Sequence, residues 1–170
     1  MSIAVCPGSF DPVTMGHLDI IKRASVLFQE VIVLVVINPK KNASFTVQER
    51  CDMINKATDF LPNVRVDSYD GLLVDYVRRA GASAIVKGLR ALSDFEYEFQ
   101  MALTNKKLLP YAETVFLTTS AENMYLSSSL VKQVAGFGGD ITDFVPSCVL
   151  ETITGRLLKE KKRTGETEES

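Results

Sequence analysis

The sequence predicts an α/β protein built on a doubly wound, parallel, five-stranded sheet, and three observations carry that expectation. Short apolar, β-branched runs alternate with segments whose apolar residues recur at helical spacing, the pattern of strand–helix–strand crossovers. The run Val31-Ile32-Val33-Leu34-Val35-Val36-Ile37 is apolar without alternation, as in a strand covered on both faces by helices. Residues that packing explains least well (glycines, lysines, an arginine, serines and the single histidine) gather just after the predicted strands, at the edge where such sheets bind ligands.

Taken in order, Ile3-Ala4-Val5 begins the first strand, and Cys6 to His17 follows as a loop rich in glycine and proline. Pro7, Gly8, Pro12 and Gly16 argue against continuous helix or sheet there. Leu18 to Phe28 has the spacing of a helix, with Ile20, Ile21, Ala24, Leu27 and Phe28 on one side. After the second strand, Asn38-Pro39 and the lysine-bearing loop Lys40-Lys41-Asn42-Ala43-Ser44 lead to Thr46-Val47-Gln48-Glu49, a capping box opening a helix to about Thr58. Val64 to Val66 is the third strand, and Leu73 to Ala80 a helix that Gly81 stops. Ala84 to Val86 is the fourth strand and runs into the loop Lys87-Gly88-Leu89-Arg90. Ser93-Asp94-Phe95-Glu96 supplies a second capping box, for a helix with Leu92, Phe95, Phe99, Ala102 and Leu103 as its apolar stripe. Val115 to Leu117 is the fifth strand; the hydroxyl cluster Ser127-Ser128-Ser129 stands at the next helix start. Pro146 opens a closing amphipathic helix to about Lys159. Residues 1–160 are expected to form one domain, and 161–170 a polar flexible tail.

Composition narrows the function classes. With 170 residues and a net charge of −2, no basic excess draws a nucleic acid to the surface, so an anion site has to be local. The longest apolar run is far short of a bilayer span and the N-terminus lacks a signal-peptide pattern, so no membrane association is expected and the chain is placed in the cytoplasm. The 3 cysteines are widely spaced, matching neither a disulfide framework nor a zinc pattern, and are expected to be reduced thiols.

At the first loop, free backbone N–H groups and the positive end of the following helix favour an anion. Taken alone, such a loop is equally a plain turn from strand to helix, and a histidine in the first turn equally a cap. One histidine with distant cysteines does not make a zinc site, no Gly-x-x-x-x-Gly-Lys-[Ser/Thr] loop is present, and no Gly-x-Ser-x-Gly elbow presents a nucleophile. Backbone donors, hydroxyls, cations and one imidazole at a shared sheet edge instead suit a polyphosphate.

Gly8-Ser9-Phe10-Asp11-Pro12 with Thr14-Met15-Gly16-His17 resembles the (His/Thr)-x-Gly-His signature of the nucleotidyltransferase superfamily, and Ser127-Ser128-Ser129-Leu130-Val131-Lys132 is similar to its second, serine-rich signature. Thr14 in place of histidine, Gly88-Leu89-Arg90-Ala91, Asp94-Phe95-Glu96-Tyr97-Glu98 and the triple serine narrow the resemblance to the bacterial phosphopantetheine adenylyltransferase family, from about Ile3 to about Leu158. The resemblance implies a Rossmann-like nucleotidyltransferase fold. It also implies transfer of an adenylyl group from ATP to 4′-phosphopantetheine, giving dephospho-coenzyme A and pyrophosphate, with Mg2+ as cofactor. A homohexamer and feedback inhibition by coenzyme A are further implications. No metal ligands come from the protein.

By position in the motifs, His17 is implied to donate to the α-phosphate and Lys41 to grip the acceptor phosphate, the two catalytic residues. ATP binding is implied for Ser9, Phe10, His17, Gly88, Leu89, Arg90, Glu98 and the segment Asn123, Met124, Tyr125, Leu126, Ser127, Ser128, Ser129. Ser9, Lys41, Leu73 and Lys87 are implied to bind phosphopantetheine. Two departures stand out: Lys87 replaces the usual arginine, exchanging a bidentate grip for a point charge, and Cys6 replaces a bulkier aromatic. A transferase acting on nicotinate mononucleotide, a cytidylyltransferase and a nucleotide sensor without turnover are the competing readings. The Gly88 to Glu98 block argues against the first two, and the pairing of His17 with Lys41 against the third.

Overall fold

Strand and helix alternate throughout the computed structural model, which describes residues 2–37, 42–90 and 92–165, with the side chains of 92–94 and 159–165 excepted. The order is β1 (Ile3–Gly8), α1 (Met15–Leu27), β2 (Glu30–Val36), α2 (Val47–Thr58), β3 (Val64–Tyr69), α3 (Leu73–Arg79), β4 (Ala84–Leu89), α4 (Leu92–Leu108), β5 (Glu113–Thr118), α5 (Ser128–Gly136) and α6 (Leu150–Gly165). Every strand pair is parallel and the sheet runs β3-β2-β1-β4-β5, so the strand order reverses between β1 and β4. This is the α/β plan expected from the sequence.

Strand residues alternate between two cores. Ala4, Cys6, Val31, Val33, Val35 and Val86 face Ile21 of α1, Ile54 of α2, Val131 of α5 and Ile153 of α6. Val5, Ile32, Leu34 and Ile85 face Val74 and Val77 of α3 and Leu109 beyond α4. Burial on both faces accounts for the unbroken apolar run in β2. Local signals act where expected: Thr46 and Glu49 complete a capping box on α2, and Gly81, at φ +64°, follows the end of α3.

Two strands run on into stretches expected as loops. β1 includes Cys6, Pro7 and Gly8, which were expected in a loop, because β2 pairs with it as far as Gly8↔Val35. On its other side β1 pairs with β4 only at Ala4↔Ala84 and Val5↔Ile85. Proline lacks the N–H that a second neighbour would use, and past Val5 β1 has no ladder to β4 that needs it. Lys87, Gly88 and Leu89 likewise belong to β4 and not to the loop after it, paired with Phe116, Leu117 and Thr118 of β5. A Cβ on Gly88 would sit 2.8 Å from Ile20 Cγ1, so glycine lets β4 lie close to α1.

The later helices add detail to the expectations. α4 starts at Leu92, so the backbone of Ser93 lies inside its first turn, while its side chain, and with it the expected capping box with Glu96, lies outside the described residues. Along the predicted α4 stripe, Phe95, Phe99 and Leu103 are 39%, 46% and 56% exposed and Ala102 is half-buried, while the Leu92 side chain lies outside the described residues. Helical spacing identifies an apolar face without saying what covers it. Pro146 precedes a 3-10 turn, Ser147–Val149, and α6 then runs to Gly165, because the lysines and glutamate after Leu158 are good helix formers.

Candidate active site

Where β1 and β4 part, the sheet opens a cleft of about 580 Å³. Cys6, Pro7 and Gly8 of β1 and Val86, Lys87 and Gly88 of β4 line it, with Ser9, Phe10, Thr14, Gly16 and His17 beyond β1. Arg90, Tyr97 and Glu98, then Thr119 and the stretch Leu126 to Ser129 at the start of α5, complete it. Loops after three different strands thus meet at the point of strand reversal, where open α/β sheets bind ligands.

His17 owes its state to the start of α1. The Thr14 hydroxyl accepts the His17 backbone N–H at 3.3 Å, and the Thr14 backbone N–H donates to His17 Nδ1 at 3.0 Å. This is a capping box with imidazole in the place usually held by glutamate or glutamine. Because Nδ1 accepts, the proton of the neutral ring is on Nε2. Burial, then the nearby charges of Arg90 and Lys87, push the ring down to about 4, so it is a neutral donor at physiological pH. The Phe10 ring meets it edge-on, with centroids 5.0 Å apart. Phe10 itself is buried with φ +48°, and a Cβ on Gly8 would lie 2.9 Å from two of its ring atoms. Gly8 therefore makes room for the ring that backs the histidine.

The loop carrying these residues is tied at several points. Arg50 of α2 donates to the Ser9 carbonyl at 2.9 Å, and the Ser128 hydroxyl to that of Pro12 at 2.7 Å. Asp11 is buried and accepts from the backbone N–H groups of Ser44 and Phe45 and from Lys132. Ser127 caps α5 by accepting the Leu130 N–H at 3.0 Å. Of the three serines, one therefore caps, one braces the loop, and Ser129 is committed to neither task.

Two cations reach the cleft with partners of their own. Lys87 lies 3.1 Å from Glu98, and Arg90 donates to the Leu126 carbonyl at 2.8 Å. Glu98 is the only carboxylate among the described residues that line the cleft, and none of those residues form a cluster of histidine, cysteine and carboxylate able to hold a metal. The cations, hydroxyls and backbone N–H groups of the lining suit a polyanion. Cys6, at the cleft, is buried, and its thiol is pushed up to about 12 by burial, with Lys87 opposing. Burial thus favours its protonated thiol, and it packs as a small apolar residue.

Of the residues proposed from sequence, the structure brings together Ser9, Phe10, His17, Lys87, Gly88, Arg90, Glu98, Leu126, Ser127, Ser128 and Ser129. Leu89 stands on β4 outside the lining, its carbonyl accepting the Thr119 N–H at 2.9 Å. Asn123, Met124 and Tyr125 are outside it as well; Met124 and Tyr125 are exposed. Leu73 opens α3 and packs against the second core, away from the cleft. Lys41 falls outside the described residues. Sequence reasoning missed Tyr97 and Thr119, which line the cleft, and the bracing roles of Arg50 and Asp11. Asp11 lay inside a quoted motif, but no local signal marks a helical arginine for a carbonyl 41 residues away.

Similarity to known proteins agrees with this geometry. A family model described as cytidylyltransferase-like matches residues 5–134. A phosphopantetheine adenylyltransferase of Heliobacterium modesticaldum is 59% identical over 88% of this chain and 89% of its own. One of Caldanaerobacter subterraneus is 56% identical over 94% and 99%. Among solved structures, a putative nicotinate-nucleotide adenylyltransferase from Vibrio parahaemolyticus superposes with a TM-score of 0.68 at 17% identity, covering 93% of this chain and 99% of that one. A bifunctional NMN adenylyltransferase/ADP ribose pyrophosphatase from Francisella tularensis gives 0.71 at 16%, over 99% of this chain and 54% of that one. At those identities the superpositions establish a shared fold, whereas identity above half along nearly the whole chain establishes kinship. The chain belongs to the phosphopantetheine adenylyltransferase family, within the cytidylyltransferase-like nucleotidyltransferases.

Proposed function

We propose that the protein transfers the adenylyl group of ATP to 4′-phosphopantetheine, releasing pyrophosphate and dephospho-coenzyme A, a step of coenzyme A biosynthesis. The observation that carries this reading is His17: a neutral ring lining the cleft, with Nδ1 tied to Thr14 and the proton on Nε2. The acceptor phosphate is already ionised near neutral pH and needs no general base. It attacks the α-phosphorus; a new P–O bond forms, the bond to the bridging oxygen breaks, and pyrophosphate leaves with that electron pair. The protein's task is to hold two anions in line and stabilise charge growing on the α-phosphate and the leaving group. His17 donates from Nε2 to the α-phosphate, and Lys41 grips the acceptor phosphate. Arg90, the α5 N-terminus and Ser129 receive the nucleotide's outer phosphates.

Ser9, Phe10, Gly88, Leu89, Glu98 and the segment Asn123 to Ser128 are assigned to ATP, and Ser9, Leu73 and Lys87 to phosphopantetheine. The Lys87–Glu98 ion pair spans the two sets, so Lys87 takes the acceptor phosphate by exchanging its partner. Mg2+ arrives chelated by the triphosphate, as part of the substrate. Coenzyme A, which carries both the pantetheine arm and an adenosine, is the expected feedback inhibitor at the same cleft, and the cytoplasm the expected compartment. The exposed Phe95, Phe99, Met101, Leu103 and Leu108 on α4 support self-association, in the homohexamer that the family resemblance implied.

The test is pyrophosphate release from ATP and magnesium with either phosphopantetheine or nicotinate mononucleotide. Release is expected with phosphopantetheine only, and its absence there overturns the reading. Lys41→Ala is expected to raise the phosphopantetheine KM and lower kcat, with Lys40→Ala near neutral.

A further inference from the structure

We propose that Asp11 is a positioning residue for this transfer: its buried carboxylate fixes the nucleotide side of the cleft relative to the acceptor side. The inference rests on the reaction proposed above. Asp11 is only 6% exposed and is not among the described residues that line the cleft, yet it joins three chain segments. Oδ1 accepts the Phe45 N–H at 2.9 Å, and Oδ2 the Ser44 N–H at 3.1 Å and the Lys132 ammonium at 2.6 Å. Asp11 belongs to the loop that leads into α1 and His17. Ser44 and Phe45 belong to the stretch that follows Lys41 and leads into α2, and Lys132 stands on α5, the helix whose first turn carries the serines.

The Ser44 peptide is held from both ends. Its N–H goes to Asp11 and its carbonyl accepts from Arg156 of α6 at 2.9 Å. Arg156 also pairs with Glu49 of the α2 capping box and stacks over Phe45 at 5.4 Å. The acceptor-side segment is thereby clamped between the histidine loop and the last helix. Lys132 neutralises a carboxylate that would otherwise add an uncompensated negative charge beside a site for two anions. A lysine one turn from the serines is thus engaged in assembling the site and not in gripping phosphate.

Such a residue is expected to affect transfer and acceptor binding more than nucleotide binding. Asparagine at position 11 keeps the shape, but its single carbonyl oxygen replaces two carboxylate acceptors, and its amide faces donors. In Asp11→Asn, kcat is expected to fall at least about tenfold and the phosphopantetheine KM to rise severalfold, with ATP affinity, measured by equilibrium titration, within about threefold. Lys132→Met and Arg156→Gln each loosen one partner and are expected to move the same two constants in the same direction, while Lys132→Arg restores them. The inference is overturned if Asp11→Asn turns over within about threefold of wild type, or if its loss lies in ATP affinity. Should Asp11→Asn not fold, normal phosphopantetheine constants in both Lys132→Met and Arg156→Gln overturn it equally. Wild-type protein that releases no pyrophosphate overturns the proposed reaction; wild type that turns over beside an unaffected variant overturns this inference alone.

Discussion

His17 shows how a backbone task prepares a chemical one. Its Nδ1 satisfies the Thr14 N–H, which would otherwise be an orphan donor at the start of α1, and the same bond decides which nitrogen carries the proton. Because the folded ring is lowered from its ordinary 6.5 to about 4, mainly by burial, the unfolded chain takes up a proton in that window that the folded chain refuses. Stability linked to His17 is therefore full above pH 6.5 and declines as pH falls toward about 4. Since His17 is the only histidine, nitrogen NMR of the imidazole is unambiguous. A neutral Nε2–H ring is expected at pH 6, and a titration midpoint near 6.5 would contradict the assignment. The sequence made the histidine visible but not its tautomer, because the deciding partner is a backbone N–H and not a side chain.

Among the elements, α5 is where two roles of one residue type separate. Ser127 caps the helix, so Ser127→Ala is expected to cost about 1 kcal/mol of stability. Ser129 holds no cap, and Ser129→Ala is expected to leave the melting temperature unchanged and raise the ATP KM. Urea titrations beside initial-rate measurements distinguish them, and equal destabilisation by both would refute the division. Helix starts marked by a cap, Thr46 and Ser127, were legible from the sequence because a cap is a local event. Strand ends were not: β1 carries Pro7 and Gly8, and β4 carries Lys87 and Gly88, since one paired neighbour sustains a strand that local composition would end. α4 was legible as a helix but not in its orientation, because Phe95 and Phe99 stack on one another at 5.5 Å in place of entering a core.

At the scale of the molecule, the exposed apolar face of α4 points to association with a second copy. With Phe99 and Leu103 about half exposed, burial against a second copy stabilises the face more than solvent does. Phe99→Asp combined with Leu103→Asp is expected to reduce the mass measured by light scattering to that of the single chain; wild type already at that mass would refute self-association. The convergence of loops at one edge was legible from strand alternation, whereas contacts joining Asp11 to Lys132 across 121 residues are set only once the chain closes. The early end of β1–β4 pairing, at Val5↔Ile85, has a further consequence. It makes a mechanical seam between β3-β2-β1 and β4-β5, where the ladder does not continue toward the cleft. Amide hydrogens bordering it are expected to exchange by partial opening, well before global unfolding. On the proposed reading ATP contacts both banks, and bound nucleotide is expected to slow exchange along the seam more than elsewhere, so that cohesion of the two halves rises and falls with occupancy.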